Sequence, residues 1–147
     1  MRIPTSADWG EICQDDLDAD WAYKTFFGKS FDEAVTMFQT NALHYQEDLL
    51  SMPPAALDFY APALVEYITS PQAAGDSDGS SSFLHMVSQI LKTPRSINSR
   101  ETEQLLLAAA EQVSRNQAFY EADISIYGEF PRLYAEIQDH QEHRTNE

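Results

Sequence analysis

Residues 30–50 constrain the fold more than any other part of the chain. Ser30 and Glu33 have the spacing of a capping box, in which a hydroxyl and a carboxylate cap a helix start reciprocally. Apolar residues then recur at alternating intervals of three and four, the repeat of one buried helix face: Val35, Phe38, Ala42, Tyr45 and Leu49. Pro53 and Pro54 end this pattern. The segment therefore predicts one long amphipathic helix.

Helical spacing continues on both sides of this segment. Residues 15–27 read as a short helix that ends at Gly28. Residues 54–68 are almost entirely apolar, which predicts a helix at the centre of the domain. Pro62 lies inside that helix, so we expect a kink or two short helices there.

The second half of the chain is also helical in pattern. Residues 70–82 are small and polar and predict a loop, followed by a short helix over 83–91. Asn98 or Ser99 caps the next helix, which should run to about residue 121, and Pro131 opens a last helix through residue 137. The sequence thus predicts an all-α, single-domain bundle of five or six helices over 1–147, with a Pro-kinked central helix. Segments 1–14 and 138–147 are expected to be flexible ends.

Charge limits the functions that the chain can perform. The 147 residues carry 24 acidic and 9 basic side chains, a formal net charge of −15. Residues 30–91 contain no Lys or Arg, so their solvent face has to be negative. This balance argues against direct binding to nucleic acid or to an anionic membrane and favours a cationic protein partner. The chain has a single cysteine, Cys13, and no long apolar run at the N-terminus or elsewhere. Both features favour a cytoplasmic protein without membrane spans.

Catalytic and metal-binding patterns are incomplete. Gly28-Lys29-Ser30 has the end of a phosphate-binding loop, but the glycine required earlier is Tyr23. Residues 76–79 resemble the start of a calcium loop without its later Gly and Glu, and a flexible surface turn is expected. Glu136, His140 and His143 could hold a metal only if the polar C-terminus were helical. We therefore predict no catalytic residue, no cofactor and no metal, and expect Cys13 to be inert among its acidic neighbours.

Four short strings in the first half of the chain follow a recognisable pattern. They are FFGKSFDEA at 26–34, YQEDL at 45–49, MPP at 52–54 and GDSD at 75–78. The pattern resembles a family of small, acidic, all-helical bacterial proteins over about residues 26–80. Such proteins are similar to the immunity proteins of polymorphic toxin systems, which implies that the chain binds and neutralises a toxin.

Two groups of carboxylates are the candidate contacts for such a partner. The first group is Asp15, Asp16, Asp18 and Asp20, and the second is Glu47, Asp48, Asp58 and Glu66. Glu47 and Asp48 lie near a helix C-terminus, where the helix dipole disfavours anions. They either accept hydrogen bonds from donors in the following turn or await a partner. The alternatives to an immunity protein are a metal-dependent helical-bundle enzyme and a cytoplasmic adaptor without a toxin partner.

Overall fold

The computed structural model describes residues 2–12 and 15–145. Within these ranges the chain forms helices and no β-strand, which confirms the all-α prediction. Six helices have ten or more residues, and α1 and α7 are single turns. The bounds are α1 Ser6–Trp9, α2 Leu17–Phe26, α3 Phe31–Leu49, α4 Pro54–Ile68, α5 Ser77–Lys92, α6 Arg100–Ser114, α7 Ile124–Tyr127 and α8 Phe130–Thr145.

Helix α4 is the centre of the core, as its apolar composition predicts. Ten of its residues are buried, and it packs against α3, α6 and α1. The hydroxyl of Tyr60 donates to the carbonyls of Phe26 and Lys29, both at 2.8 Å, and so binds the end of α2. Because α4 continues through Pro62, the alternative of two short helices is wrong.

Helix α3 contains a break in regular helix geometry. Asn41 has φ −160° and ψ 81° inside α3, which are not helical values. Its side-chain Oδ1 accepts a hydrogen bond from the backbone N of His44 at 3.2 Å. At the break, this side-chain oxygen takes the place of the backbone carbonyl that would accept in a regular helix. At the start of α3 the predicted capping box forms, with both Ser30–Glu33 hydrogen bonds at 3.1 Å.

The buried face of α3 is close to the predicted stripe. Phe38, Ala42 and Leu49 are buried, whereas Val35 and Tyr45 are half-buried. Gln46 is also buried, a polar residue that the apolar repeat did not include. The stripe therefore identifies the inward side of the helix correctly and misses two of its buried members, Ala34 and Gln46.

The loop predicted over 70–82 is wrong in its second half. A 3-10 turn occupies Pro71–Ala73, and α5 already begins at Ser77. The Asp76 side chain caps the helix, since its Oδ1 accepts from the backbone N of Gly79 at 2.9 Å. Gly79, Ser80 and Ser81 are buried. These small polar residues suggest a flexible turn in the sequence. In the structure their small size allows α5 to pack closely against its neighbours.

The last two long helices differ in length from the prediction. Ser99 caps α6 as expected, but α6 ends at Ser114 rather than near residue 121. The chain then forms a turn that is held by hydrogen bonds from and to the Gln117 side chain. Helix α8 continues to Thr145, well past residue 137, because it packs against α5 and α6.

The two ends of the described chain contact the rest of the fold. Trp9 is 3% exposed and packs edge-on against Tyr23 with ring centroids 5.4 Å apart. The flexibility of 1–14 and 138–147 stays a prediction, and Cys13 lies outside the described residues. None of the helices that the structure describes is long and apolar enough to cross a bilayer.

Candidate protein-binding site

Helix α2 carries most of the first candidate group, and its members differ in what they contact. Asp16 is the N-cap of α2 and accepts from the backbone N of Ala19 at 3.1 Å. Asp20 forms an ion pair with Lys24 at 2.8 Å. The carboxylates of Asp15 and Asp18 are exposed and make no hydrogen bond or ion pair within the described ranges. Two of the four acids thus stabilise the helix itself, and the other two make no such contact among the described residues.

Two large apolar side chains lie between these acids and face the solvent. Leu17 is 76% exposed and Trp21 is 59% exposed. They are one turn apart on α2, on the side opposite the buried Phe26. Exposed tryptophan ringed by polar residues is typical of the energetic centre of a protein interface. We define the α2 surface as Asp15, Leu17, Asp18 and Trp21.

Asp48 connects the second candidate group to the α2 surface. Its Oδ2 atom is buried without a hydrogen-bond partner, so the expected donor in the following turn is not seen among the described residues. Burial raises the pKa of Asp48, and the charges of Glu47 and Asp18 raise it further, while His44 partly offsets them. Asp18 therefore lies near enough to repel Asp48. The charges of these two residues therefore interact, which links one member of the first candidate group to one member of the second.

Asp58 and Glu66 lie elsewhere on α4. The Asp58 carboxylate accepts from the backbone N of Asn98 at 3.2 Å and of Ser99 at 3.3 Å. It thereby holds the start of α6 against α4. Glu66 is exposed two turns further along α4. In the part of the chain that the structure describes, no hydrogen bond or ion pair joins either residue to Glu47 or Asp48.

A groove with mostly apolar walls lies beside the α3–α5 contact. It has a volume of about 690 Å³ and its apolar walls include Leu43, Leu50, Met86 and Ile90. Gln46 lines it, is 2% exposed, and donates from Nε2 to the carbonyl of Gly79 at 3.0 Å. Its Oε1 is buried and has no hydrogen-bond partner among the residues that the structure describes. The groove can accept an apolar group.

The structure does not assemble a metal centre from its described residues. Glu136, His140 and His143 do lie on α8, but in the described part of the chain no three His, Cys, Asp or Glu side chains are placed to hold an ion. The Nδ1 atom of His143 lies 2.7 Å from the carbonyl of Asp139, within its own helix.

Comparison with known proteins gave no match: no family model, no curated protein and no solved structure matches this chain.

Sequence reasoning missed Trp21 as a candidate contact. The signal was present in the chain, because Leu17 and Trp21 are four positions apart, with Asp15 and Asp16 before them and Asp18 and Asp20 between them. An apolar pair at helical spacing inside an acidic run indicates an exposed contact as readily as a buried face.

Proposed function

We propose that this chain is a bacterial immunity protein that acts in the cytoplasm by binding and neutralising a cationic toxin through the α2 surface. The exposure of Leu17 and Trp21 beside the uncompensated carboxylates of Asp15 and Asp18 carries this proposal. A toxin that cuts nucleic acid has a basic active site, and an acidic protein can cover it.

The aromatic and the acidic residues of the α2 surface would have different roles in binding. Trp21 would bury its indole in the partner and set the lifetime of the complex, since such central aromatics account for about 2 kcal/mol or more of binding. The carboxylates around it would act before the indole is buried. They would attract a basic surface during the encounter and so raise the association rate.

The charge distribution supports a cationic partner. Within the described residues, five of the nine cations are held in ion pairs by the chain's own carboxylates. On α2, Lys24 is already paired with Asp20. The field at the α2 surface is therefore negative, and it acts over a Debye length of about 8 Å at physiological salt.

The test is co-purification from the native host, followed by binding kinetics at two salt concentrations. Trp21→Ala should raise the dissociation rate by tenfold or more, roughly 1.4 kcal/mol. Asp15→Lys with Asp18→Lys should lower the association rate, and high salt should do the same to the wild-type chain. Asp16 is left unchanged because it caps α2.

Matched variants elsewhere serve as controls. Phe119→Ala removes another exposed aromatic, and Glu136→Lys reverses an exposed acid on α8; neither should change the kinetics. A partner without a basic surface, whose binding ignores Trp21, would favour the adaptor alternative. Recovery of stoichiometric bound metal and no protein partner would favour the enzyme.

A further inference from the structure

A basic cavity lies where the loop after α5, the start of α6 and the end of α8 meet. Its volume is about 640 Å³, within the range of about 300–1,000 Å³ that is usual for small-ligand sites. The side chains with hydrogen-bonding capacity that line it are Arg95, Arg100, Arg144, Glu103, Gln104 and Gln141. Three guanidinium groups from separate parts of the chain thus converge on one cavity.

This convergence is unexpected for a chain with so few cations. Acidic side chains outnumber basic ones by 24 to 9, so an arginine has many carboxylates with which to pair. Arg95 and Arg100 nevertheless form no ion pair among the described residues, and both are exposed. With Arg144 and a single carboxylate, that of Glu103, the cavity wall has a formal charge of +2.

Arg144 is fixed in position by the fold. Its Nη1 donates to the carbonyls of Leu91 at 3.2 Å and Thr93 at 3.1 Å. Its Nε lies 3.6 Å from Glu103 Oε1, an ion pair too long to be a hydrogen bond. A guanidinium held in this way needs little reordering to contact a ligand.

We propose that this cavity binds a small phosphorylated ligand, with the phosphoryl oxygens contacting Arg95, Arg100 and Arg144. Guanidinium groups match the geometry of phosphate oxygens and can donate two parallel hydrogen bonds to them. The negative charge of the whole chain does not prevent this binding. At physiological salt the Debye length is about 8 Å, so distant carboxylates are screened and the cations of the wall dominate. The site is separate from the α2 surface.

The test is titration of the protein with inorganic pyrophosphate. Binding is measured by calorimetry and by the NMR chemical-shift changes of the residues that line the cavity. Arg95→Gly and Arg100→Gln together should weaken pyrophosphate binding at least tenfold. Glycine is the choice at position 95 because Arg95 has a φ of 59°, which glycine adopts without strain. Arg132→Gln is the matched control, because it removes an exposed arginine of α8 outside the cavity.

The control should bind pyrophosphate within twofold of the wild-type chain. Citrate distinguishes a phosphoryl site from a general anion site, and it should bind at least tenfold more weakly than pyrophosphate. Equal binding of citrate, equal weakening by Arg132→Gln, or unchanged binding by the double variant would each overturn the proposal. Toxin binding by the double variant should be unaffected, so the two proposals can fail separately.

Discussion

Tyr67 and Asp76 connect the end of α4 to the start of α5 through a hydrogen bond of 2.6 Å from the tyrosine hydroxyl to Oδ2. The other carboxylate oxygen, Oδ1, accepts from the backbone N of Gly79 and caps α5. Burial raises the pKa of Tyr67, and the neighbouring Asp76 raises it further, so the hydroxyl remains a donor at neutral pH. One carboxylate therefore positions two helices.

Gly79→Ala should destabilise the chain although it lies inside a helix, where alanine is ordinarily favoured by about 1 kcal/mol. A Cβ at Gly79 would collide with the Asp76 carboxylate and displace it from both the Gly79 amide and the Tyr67 hydroxyl. Each lost interaction costs about 1 kcal/mol or more, so after the alanine gain the free energy of unfolding should fall by about 1 kcal/mol. Urea denaturation measures this change. Ser88→Ala in the same helix is the control and should be neutral or slightly stabilising, so equal behaviour of the two variants would refute the collision.

Asp48→Asn should stabilise the chain at neutral pH. Burial and nearby carboxylates raise the folded-state pKa of Asp48 above 3.8, so the folded state binds the proton more readily than the unfolded state. The wild-type residue then lowers the free energy of unfolding as pH rises through this window. The gain at pH 7 should not exceed about 1 kcal/mol, because the side chain is partly exposed.

The variant and the wild-type chain are compared by urea denaturation at pH 7 and at successively lower pH. Their difference should shrink as the pH falls, because wild-type Asp48 becomes protonated. Glu47→Gln, at the exposed neighbouring position, should change stability far less. A stabilisation that is constant with pH would show that the negative charge of Asp48 does not destabilise the folded state.

Gln117→Glu should be strongly destabilising although it replaces only one atom. The Nε2 atom of Gln117 donates to the carbonyls of Ala122 at 3.0 Å and Gly128 at 2.8 Å. Its Oε1 accepts from the backbone N of Phe130 at 2.9 Å. A carboxylate cannot donate to those carbonyls, and we expect a loss of about 2 kcal/mol or more in thermal or urea unfolding. Gln112→Glu is the control at an exposed position, and a similar loss there would contradict this role.

Replacing each tryptophan with alanine should separate stability from binding. Trp9 is buried, and Trp9→Ala should lower the free energy of unfolding by about 3–5 kcal/mol. Trp21 is exposed, and Trp21→Ala should change it by about 0.5 kcal/mol or less. Chemical denaturation of the two variants tests this. A large loss of stability in Trp21→Ala would mean that its side chain supports the fold rather than a partner.

Local sequence signals predicted the helices best where they were complete. Ser30 and Glu33 predicted the start of α3 because both halves of the capping box are within four residues. The start of α5 was missed because its first turn is made of small polar residues that are typical of a loop, while the Tyr67 hydroxyl that holds the Asp76 cap comes from a different helix. Contacts of this kind arise only when the chain is folded.

The same limit explains what was missed in the candidate site. Helix α2 contains two apolar pairs at equal spacing, Leu17 with Trp21 and Ala22 with Phe26. Spacing alone does not say which pair turns inward. The core decides, because Phe26 packs against Tyr60 with ring centroids 5.1 Å apart. The acidic residues were predicted as contacts from charge, but their division into helix-stabilising and uncompensated members required the hydrogen bonds.

The different environments of the two tryptophans have an optical consequence. The chain contains only Trp9 and Trp21, one within the core and one on the α2 surface. Intrinsic fluorescence should therefore have a blue-shifted component from Trp9 and a red-shifted component from Trp21. A neutral soluble quencher such as acrylamide would extinguish the second component first, and shielding by a bound partner would restore it. The protein thus carries its own reporters of unfolding and of complex formation, and neither requires a label.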